Sequence, residues 1–171
     1  MDPLVVETPD ALIHRTELKR IDDALVHIIR NAIDHGIEDE KTRFNLRKGS
    51  GKISISLHSE NSANILTIKD DGVGLDPQKF AAIAVEKALI SAEESLALSD
   101  QEKINLIFMP GFTSKTEITE LSGQGVGMDA VNDIMKELNG EISLHSDLGA
   151  GTSFTLTFPS QIQNPSIGVR H

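Results

Sequence analysis

The chain contains no cysteine, tryptophan or tyrosine, and its aromatic content rests on six phenylalanines. Without cysteine there is no disulfide framework and no thiolate metal centre, which fits a reducing, cytoplasmic setting. The shortage of aromatics leaves the core to Ile, Leu, Val and Ala, as in many layered domains of helices and strands. Positive charge is scarce as well: 16 Lys and Arg stand against 26 Asp and Glu, a formal net charge of -10. That balance argues against nucleic acid as a partner, because clustered cations supply most of that affinity. It leaves a nucleotide open, since backbone N–H groups, a helix N-terminus, a few lysines and a divalent cation create local positive potential in an acidic protein. No apolar run is long enough to span a bilayer, and Met1–Thr8 lacks a basic stretch followed by an apolar one. Any anchor of a membrane sensor is therefore expected outside this chain.

With 171 residues, 39% of them apolar, the chain suits one domain with short tails. Residues 1–16 and 160–171 read as tails, and 17–159 as the domain. Leu18, Ile21, Leu25, Ile28 and Ala32 recur at three- and four-residue spacing, predicting a helix from Glu17 to His35 that Gly36 ends. Asp39–Gly51 reads as a connection holding at most one helical turn at Lys41–Leu46. Ile53, Ile55 and Leu57 alternate with polar residues, and Ile65–Lys69 follows a polar turn, which predicts an antiparallel hairpin. Pro77 opens a helix to about Ala88, and the pairs Ser91 with Glu94 and Ser99 with Glu102 are capping boxes for two short helices. Pro110–Gly127 reads as a long mobile loop. Val131, Ile134, Met135 and Leu138 predict a helix stopped by Gly140, and Glu141–Ser146 and Thr152–Phe158 two closing strands. The order predicts an α+β, two-layer sandwich: a mixed, mostly antiparallel sheet covered on one face by helices.

Four segments carry candidate chemistry, and each has a plain structural alternative. His27, Arg30, Asn31, Asp34 and His35 form a polar stripe on the first helix, which is otherwise a solvated face. Zinc there is a poor reading, because three ligands at metal spacing are not evident. Asp70-Asp71-Gly72-Val73-Gly74 follows a strand, where an acid accepts from a donor while glycines admit a flat ligand; the alternative is a turn. Gly123-Gln124-Gly125-Val126-Gly127-Met128 leads from a loop into a helix, where bare N–H groups gather around phosphates; the alternative is a hinge. Gly149-Ala150-Gly151-Thr152-Ser153-Phe154 is by itself a hairpin turn.

Taken in order, and with Phe108-Met109-Pro110-Gly111-Phe112 between the second and third, these segments resemble the nucleotide-binding boxes shared by gyrase-type ATPases and histidine kinases (the Bergerat-type fold). The likeness runs from Asp22 to Pro159. Leu25 to Glu38, with His27 where most relatives carry Glu, and Pro110-Gly111-Phe112 are similar to the CheA chemotaxis kinases in particular. The resemblance implies that Asn31 coordinates Mg²⁺, which bridges the phosphates of ATP. It implies that Asp70 accepts from the adenine amino group, supported by the Thr152 hydroxyl or a water, with Gly72 and Gly74 bordering the base. Gly123, Gly125 and Gly127 would close over the phosphates, with Met128 packing nearby and His35 and Lys79 on the phosphate side. His27 would stand near the γ-phosphate, as a positioning group before a proton acceptor. The activity implied is γ-phosphoryl transfer to a histidine of a separate phosphotransfer domain, with a response regulator as a further partner and dimerisation through segments outside this chain. His14, His58 and His145 lie in a tail or in strands, so none is expected to be the acceptor.

Gln124 departs from the resemblance, because Arg often stands between the lid glycines of chemotaxis kinases. Asp39–Gly51 and Ala84–Lys103 also match poorly. Three rivals share the fold: a non-kinase ATP switch, disfavoured by His27 in place of a water-activating Glu; a degenerate module that binds other proteins; and a serine-directed kinase, whose phosphoprotein would be acid-stable.

Overall fold

A computed structural model describes residues 5–7, 15–112 and 127–160. The alternating segments pair as an antiparallel hairpin, β2 (Ile53–Glu60) and β3 (Ala63–Asp70). Asn61 and Ser62 between them both have positive φ, the geometry that matches the twist of a two-residue hairpin turn. The closing strands are β4 (Glu141–Asp147) and β5 (Gly151–Pro159). β5 lies between β3 and β4, antiparallel to both. A short strand, β1 (Val5–Glu7), adds a parallel edge beside β2 and completes the order β1-β2-β3-β5-β4. The sheet is mixed and mostly antiparallel, as expected; β1 falls within the residues read as a tail.

Period-two alternation decides what each strand buries. Ile53 and Ile55 on β2, Leu66 and Ile68 on β3, Leu144 on β4, and Phe154, Leu156 and Phe158 on β5 share one face and form the main core with the helices. Helix α1 (Arg15–Asn31) contributes Ile21, Ala24 and Ile28 to that core. Burial of each of the two isoleucines stabilises the fold by about 1.5–3 kcal/mol. Further along the chain are α2 (Glu40–Asn45), α3 (Pro77–Glu86), α4 (Ala92–Ala97), α5 (Asp100–Asn105) and α6 (Met128–Glu137). α6 packs beside α1 with Met128, Val131 and Met135 buried. Its end is closed by Asn139 at positive φ and by Gly140 N–H donating to Met135 O at 2.8 Å. Both capping boxes form, opening α4 and α5.

The first helix differs from the sequence expectation at its C-terminal end. Helical periodicity runs on to His35, but the α-helix stops at Asn31 and a wider π turn covers Ala32–Gly36. It is closed by Ile37 N–H donating to Ala32 O at 2.8 Å. π turns inside helices occur often at functional sites. The third helix also stops earlier than expected, at Glu86, with Ala88 at positive φ.

α3 and the residues after α5 enclose a second, smaller core of Ala84, Leu106 and Phe112. Phe112 stacks on Phe80 with ring centres 5.3 Å apart, and Lys87 Nζ donates to the Phe112 carbonyl at 2.5 Å. The Pro-Gly-Phe motif is thereby pinned against α3.

Candidate nucleotide site

Asp70 and Thr152 owe their position to strand parity. Asp70 continues the inward series Leu66, Ile68, and Thr152 the inward series Phe154, Leu156, so both sit at the strand ends beneath the helices. Asp70 is 5% exposed. Its Oδ1 accepts from Gly72 N–H at 2.9 Å and from Thr152 N–H at 3.3 Å. Oδ2 has no protein partner among the described residues, and it is not among the fully enclosed unsatisfied atoms. The carboxylate thus presents one free acceptor oxygen. Burial raises its pKa above the ordinary carboxylate value, the two backbone N–H groups oppose that shift, and the charges of Asp71 and Glu38 add to it.

Thr152 supports Asp70 through its backbone N–H, whereas the sequence resemblance assigned that support to the hydroxyl or a water. The hydroxyl instead lies 3.0 Å from Ser146 Oγ. Ser146 also accepts from Leu75 N–H at 2.8 Å and donates to Gly151 O at 3.0 Å. This serine ties the Asp-x-Gly-x-Gly loop to the β4–β5 turn, and sequence reasoning missed it. Its only signal was its register opposite Thr152. Ser146→Ala leaves the Leu75 N–H without its acceptor and is expected to lower unfolding stability by about 1–2 kcal/mol, checked by denaturant titration.

Close backbone approach explains the glycines. A Cβ on Gly72 would overlap the Gly36 carbonyl, and one on Gly151, at φ +103, would overlap the Asp70 carbonyl. The loop also meets the π turn through Val73 N–H donating to Gly36 O at 2.8 Å. Gly36 itself faces the Asp70 carboxylate, with its Cβ direction ending 3.5 Å from Oδ2. One end of α1 and one end of β3 are thus joined.

A second set of polar groups stands at that end of α1. Asn31 Nδ2 lies 3.2 Å from His27 Nε2, one helical turn back, and 3.4 Å from Sδ of Met128, the first residue of α6. Burial holds the His27 pKa below its ordinary value; nearby Arg30 lowers it further, while Asp129 pulls the other way. Gly127 caps α6 without a side chain; Ala130 N–H donates to Asp129 Oδ1 at 2.9 Å, and among the described residues the N–H groups of Met128 and Asp129 have no side-chain partner. Such a helix start suits an anion. His35 on the π turn and Lys79 on the first turn of α3 are exposed, and the structure draws neither into these two clusters. Gly74 is buried against the Asp147 carbonyl. Gly123, Gln124 and Gly125, with most of Pro110–Gly127, lie outside the described residues.

A third cluster was not legible from motifs. Arg43, 4% exposed, pairs with Glu38 at 2.7 Å and with Asp71 at 2.8 Å, and Lys48 reaches Glu38 at 2.7 Å. Lys48 Nζ also donates to the carbonyls of Asp71 and Gly72, at 3.1 and 2.9 Å. Burial pushes the Glu38 pKa up, but the bonds from Lys48 and Arg43 outweigh it and hold the carboxyl below its usual range. These cations fasten the Asp70 loop to the segment after the π turn.

A hard cation would find one suitable donor here, the Asn31 amide oxygen, because the two contacts of that side chain are made by its nitrogen. Among the described residues no group of three His, Asp or Glu side chains forms a metal cage. That donor set fits a Mg²⁺ shared with ligand phosphates, the usual way this ion is bound.

Residues 20–162 match the family described as histidine kinase-, DNA gyrase B-, and HSP90-like ATPases. The gliding motility regulatory protein of Myxococcus xanthus is 40% identical over 93% of the chain, which spans 21% of that relative. The sensor histidine kinase CheAY of Helicobacter pylori is 40% identical over 91% of the chain, which spans 20% of it. The chemotaxis protein CheA of Halobacterium salinarum is 40% identical over 91%, the chain spanning 23% of it. In fold, the catalytic domain of the histidine kinase ThkA in a nucleotide-free form superposes with a TM-score of 0.55 at 21% identity, covering 92% of this chain and 78% of that one.

Proposed function

The chain belongs to the histidine kinase-, DNA gyrase B- and HSP90-like ATPases, and from that membership we propose that it is the ATP-binding catalytic domain, residues 17–159, of a CheA-like protein-histidine kinase acting in the cytoplasm. The observation that carries the reading is Asp70, with Oδ1 engaged by two backbone N–H groups and Oδ2 free to accept. Oδ2 receives the adenine amino group, with the Ser146 and Thr152 hydroxyls ordering the turn beside it. Gly72 and Gly74 border the base by letting the loop backbone pack on the carbonyls of Gly36 and Asp147. The start of α6, His35 and Lys79 face the phosphates, and Gly123, Gly125 and Gly127 close over them. Asn31 holds Mg²⁺ through its amide oxygen; bound there with ATP, the ion supplies charge neutralisation across the phosphates.

The acceptor is a histidine on a separate phosphotransfer domain, from which a response regulator later takes the phosphoryl group. A lone pair of the acceptor imidazole forms the new N–P bond as the bond from the γ-phosphorus to the β,γ-bridging oxygen breaks. ADP leaves with that electron pair, and the imidazole proton passes to solvent. Because the transition state is loose, the domain contributes position and charge stabilisation. His27 orients groups at the γ-phosphate, and a neutral imidazole acceptor needs no strong general base.

Calorimetric titration with a non-hydrolysable ATP analogue tests the reading. One-to-one, Mg²⁺-dependent binding supports it, and no binding at millimolar ligand overturns it. Asn31→Asp is expected to keep the fold, because the side chain is only partly buried, yet to weaken Mg·ATP binding about tenfold. A carboxylate cannot donate to Met128, and it can bond His27 only as an acceptor with the ring proton moved to Nε2, so one contact that orients the amide is lost and the other reversed. Unchanged Mg·ATP affinity and phosphotransfer in that variant would remove Asn31 from the site.

A further inference from the structure

A thioether sulfur accepts hydrogen bonds and never donates them. With Met128 Sδ 3.4 Å from the end of the Asn31 amide, the nitrogen has to face the sulfur, because a reversed amide would set two acceptors against each other. The same nitrogen then sends its second hydrogen to His27 Nε2, 3.2 Å away, which requires the ring to carry its proton on Nδ1. Both amide hydrogens are spent on protein, and the oxygen is left facing away from them.

We infer that His27 and Met128 form an orienting clamp on Asn31, presenting its amide oxygen and withholding its nitrogen from the cation held with the nucleotide phosphates. Only the oxygen is a hard donor, so a flipped amide would offer the ion hydrogens where it needs a ligand. The clamp rests on the reading of Asn31 as a Mg²⁺ ligand given above. Its two arms have different origins. His27 lies four residues back on the same helix, and Met128 comes from the first residue of α6, 97 positions along the chain and 1% exposed. In this role both are positioning residues, acting on the metal through Asn31.

The test is calorimetric titration of the domain with ADP in the presence and absence of Mg²⁺. ADP lacks the γ-phosphate, so any direct contact of His27 there is not read. Met128→Leu keeps nearly the same volume and removes the acceptor. His27→Leu removes the other acceptor, and His27→Gln restores one through its amide oxygen. The gain in ADP affinity caused by Mg²⁺ is expected to fall about three- to tenfold in Met128→Leu and in His27→Leu, the effect of losing one modest hydrogen bond. It should recover in His27→Gln, with the Mg²⁺ effect in each variant read against that variant's own metal-free ADP affinity. The Asn31 side-chain amide resonances in a ¹H–¹⁵N spectrum should shift in Met128→Leu. An unchanged Mg²⁺ effect in both leucine variants, or equal damage from His27→Gln and His27→Leu, overturns the clamp. If Met128→Leu fails to fold, the two His27 variants still decide it. A wild-type domain that binds ADP with no Mg²⁺ effect removes the underlying reading of Asn31 instead.

Discussion

Asp70→Asn is expected to lower ATP affinity by about 10- to 100-fold, the loss of one hydrogen bond to a charged acceptor. The direction follows from the bonding of the carboxylate. Its Oδ1 accepts from Gly72 and Thr152 N–H, so an asparagine at this position keeps its oxygen there and turns its nitrogen to where Oδ2 stood. A donor then faces the adenine amino group, itself a donor. Guanine presents an acceptor at that edge, so the preference for ATP over GTP should collapse; equal affinity for the two in the parent domain would sink the role given to Asp70. The same variant should be the more stable protein at neutral pH. A carboxyl whose pKa is raised on folding stabilises the fold fully below its unfolded value, about 3.9. That contribution is lost as pH rises through the raised folded value. At pH 7 the buried charge therefore opposes folding, and a neutral amide relieves it. Thermal melts should place Asp70→Asn above the parent at neutral pH, with the difference shrinking in acid. Weaker binding and higher stability in one variant would be the mark of a site residue kept at a cost to the fold.

Gly72→Ala is expected to destabilise the domain by about 2–4 kcal/mol and to abolish measurable nucleotide binding. The new methyl would overlap the backbone carbonyl of Gly36, which has no flexible side chain to swing away. The loop must withdraw from the π turn, losing the bond from Val73 N–H to Gly36 O and disturbing the one from Gly72 N–H to Asp70. Gly49→Ala is the control: nothing lies within 4 Å of a Cβ there, and its effect should stay within about 0.5 kcal/mol. Urea denaturation of the two variants separates close packing from a general intolerance of substituted glycines.

Local rules carried the sequence reading where they act alone. Alternation located β2 and β3, the three- and four-residue spacing located α1 and α6, and Ser-x-x-Glu located the starts of α4 and α5. Position in the motif also sufficed for Asp70, because a strand's parity carries a side chain inward whatever its polarity. What failed to show in the sequence depends on contacts between distant segments. β1 has three residues and exists through parallel pairing with β2, which no short pattern announces. The π turn looks like ordinary helix in sequence, since its residues keep the helical spacing. Arg43 belongs to no motif, and its burial follows from Glu38 and Asp71 converging on it across the connection. The bond from the Thr152 backbone N–H to Asp70 did not show either, because a side chain is visible in sequence and a backbone N–H is not.

The free oxygen of Asp70 faces inward because Asp70 stands two positions after Ile68 and four after Leu66, both even steps along the strand. Inserting one residue into β3 ahead of Asp70 would reverse its facing, while the turn at Asn61 and Ser62 could lengthen without any such effect. Nucleotide affinity thus becomes a gauge of strand registration. In a library of length variants, loss of binding without loss of folding would mark the stretches where counting residues matters more than their chemistry.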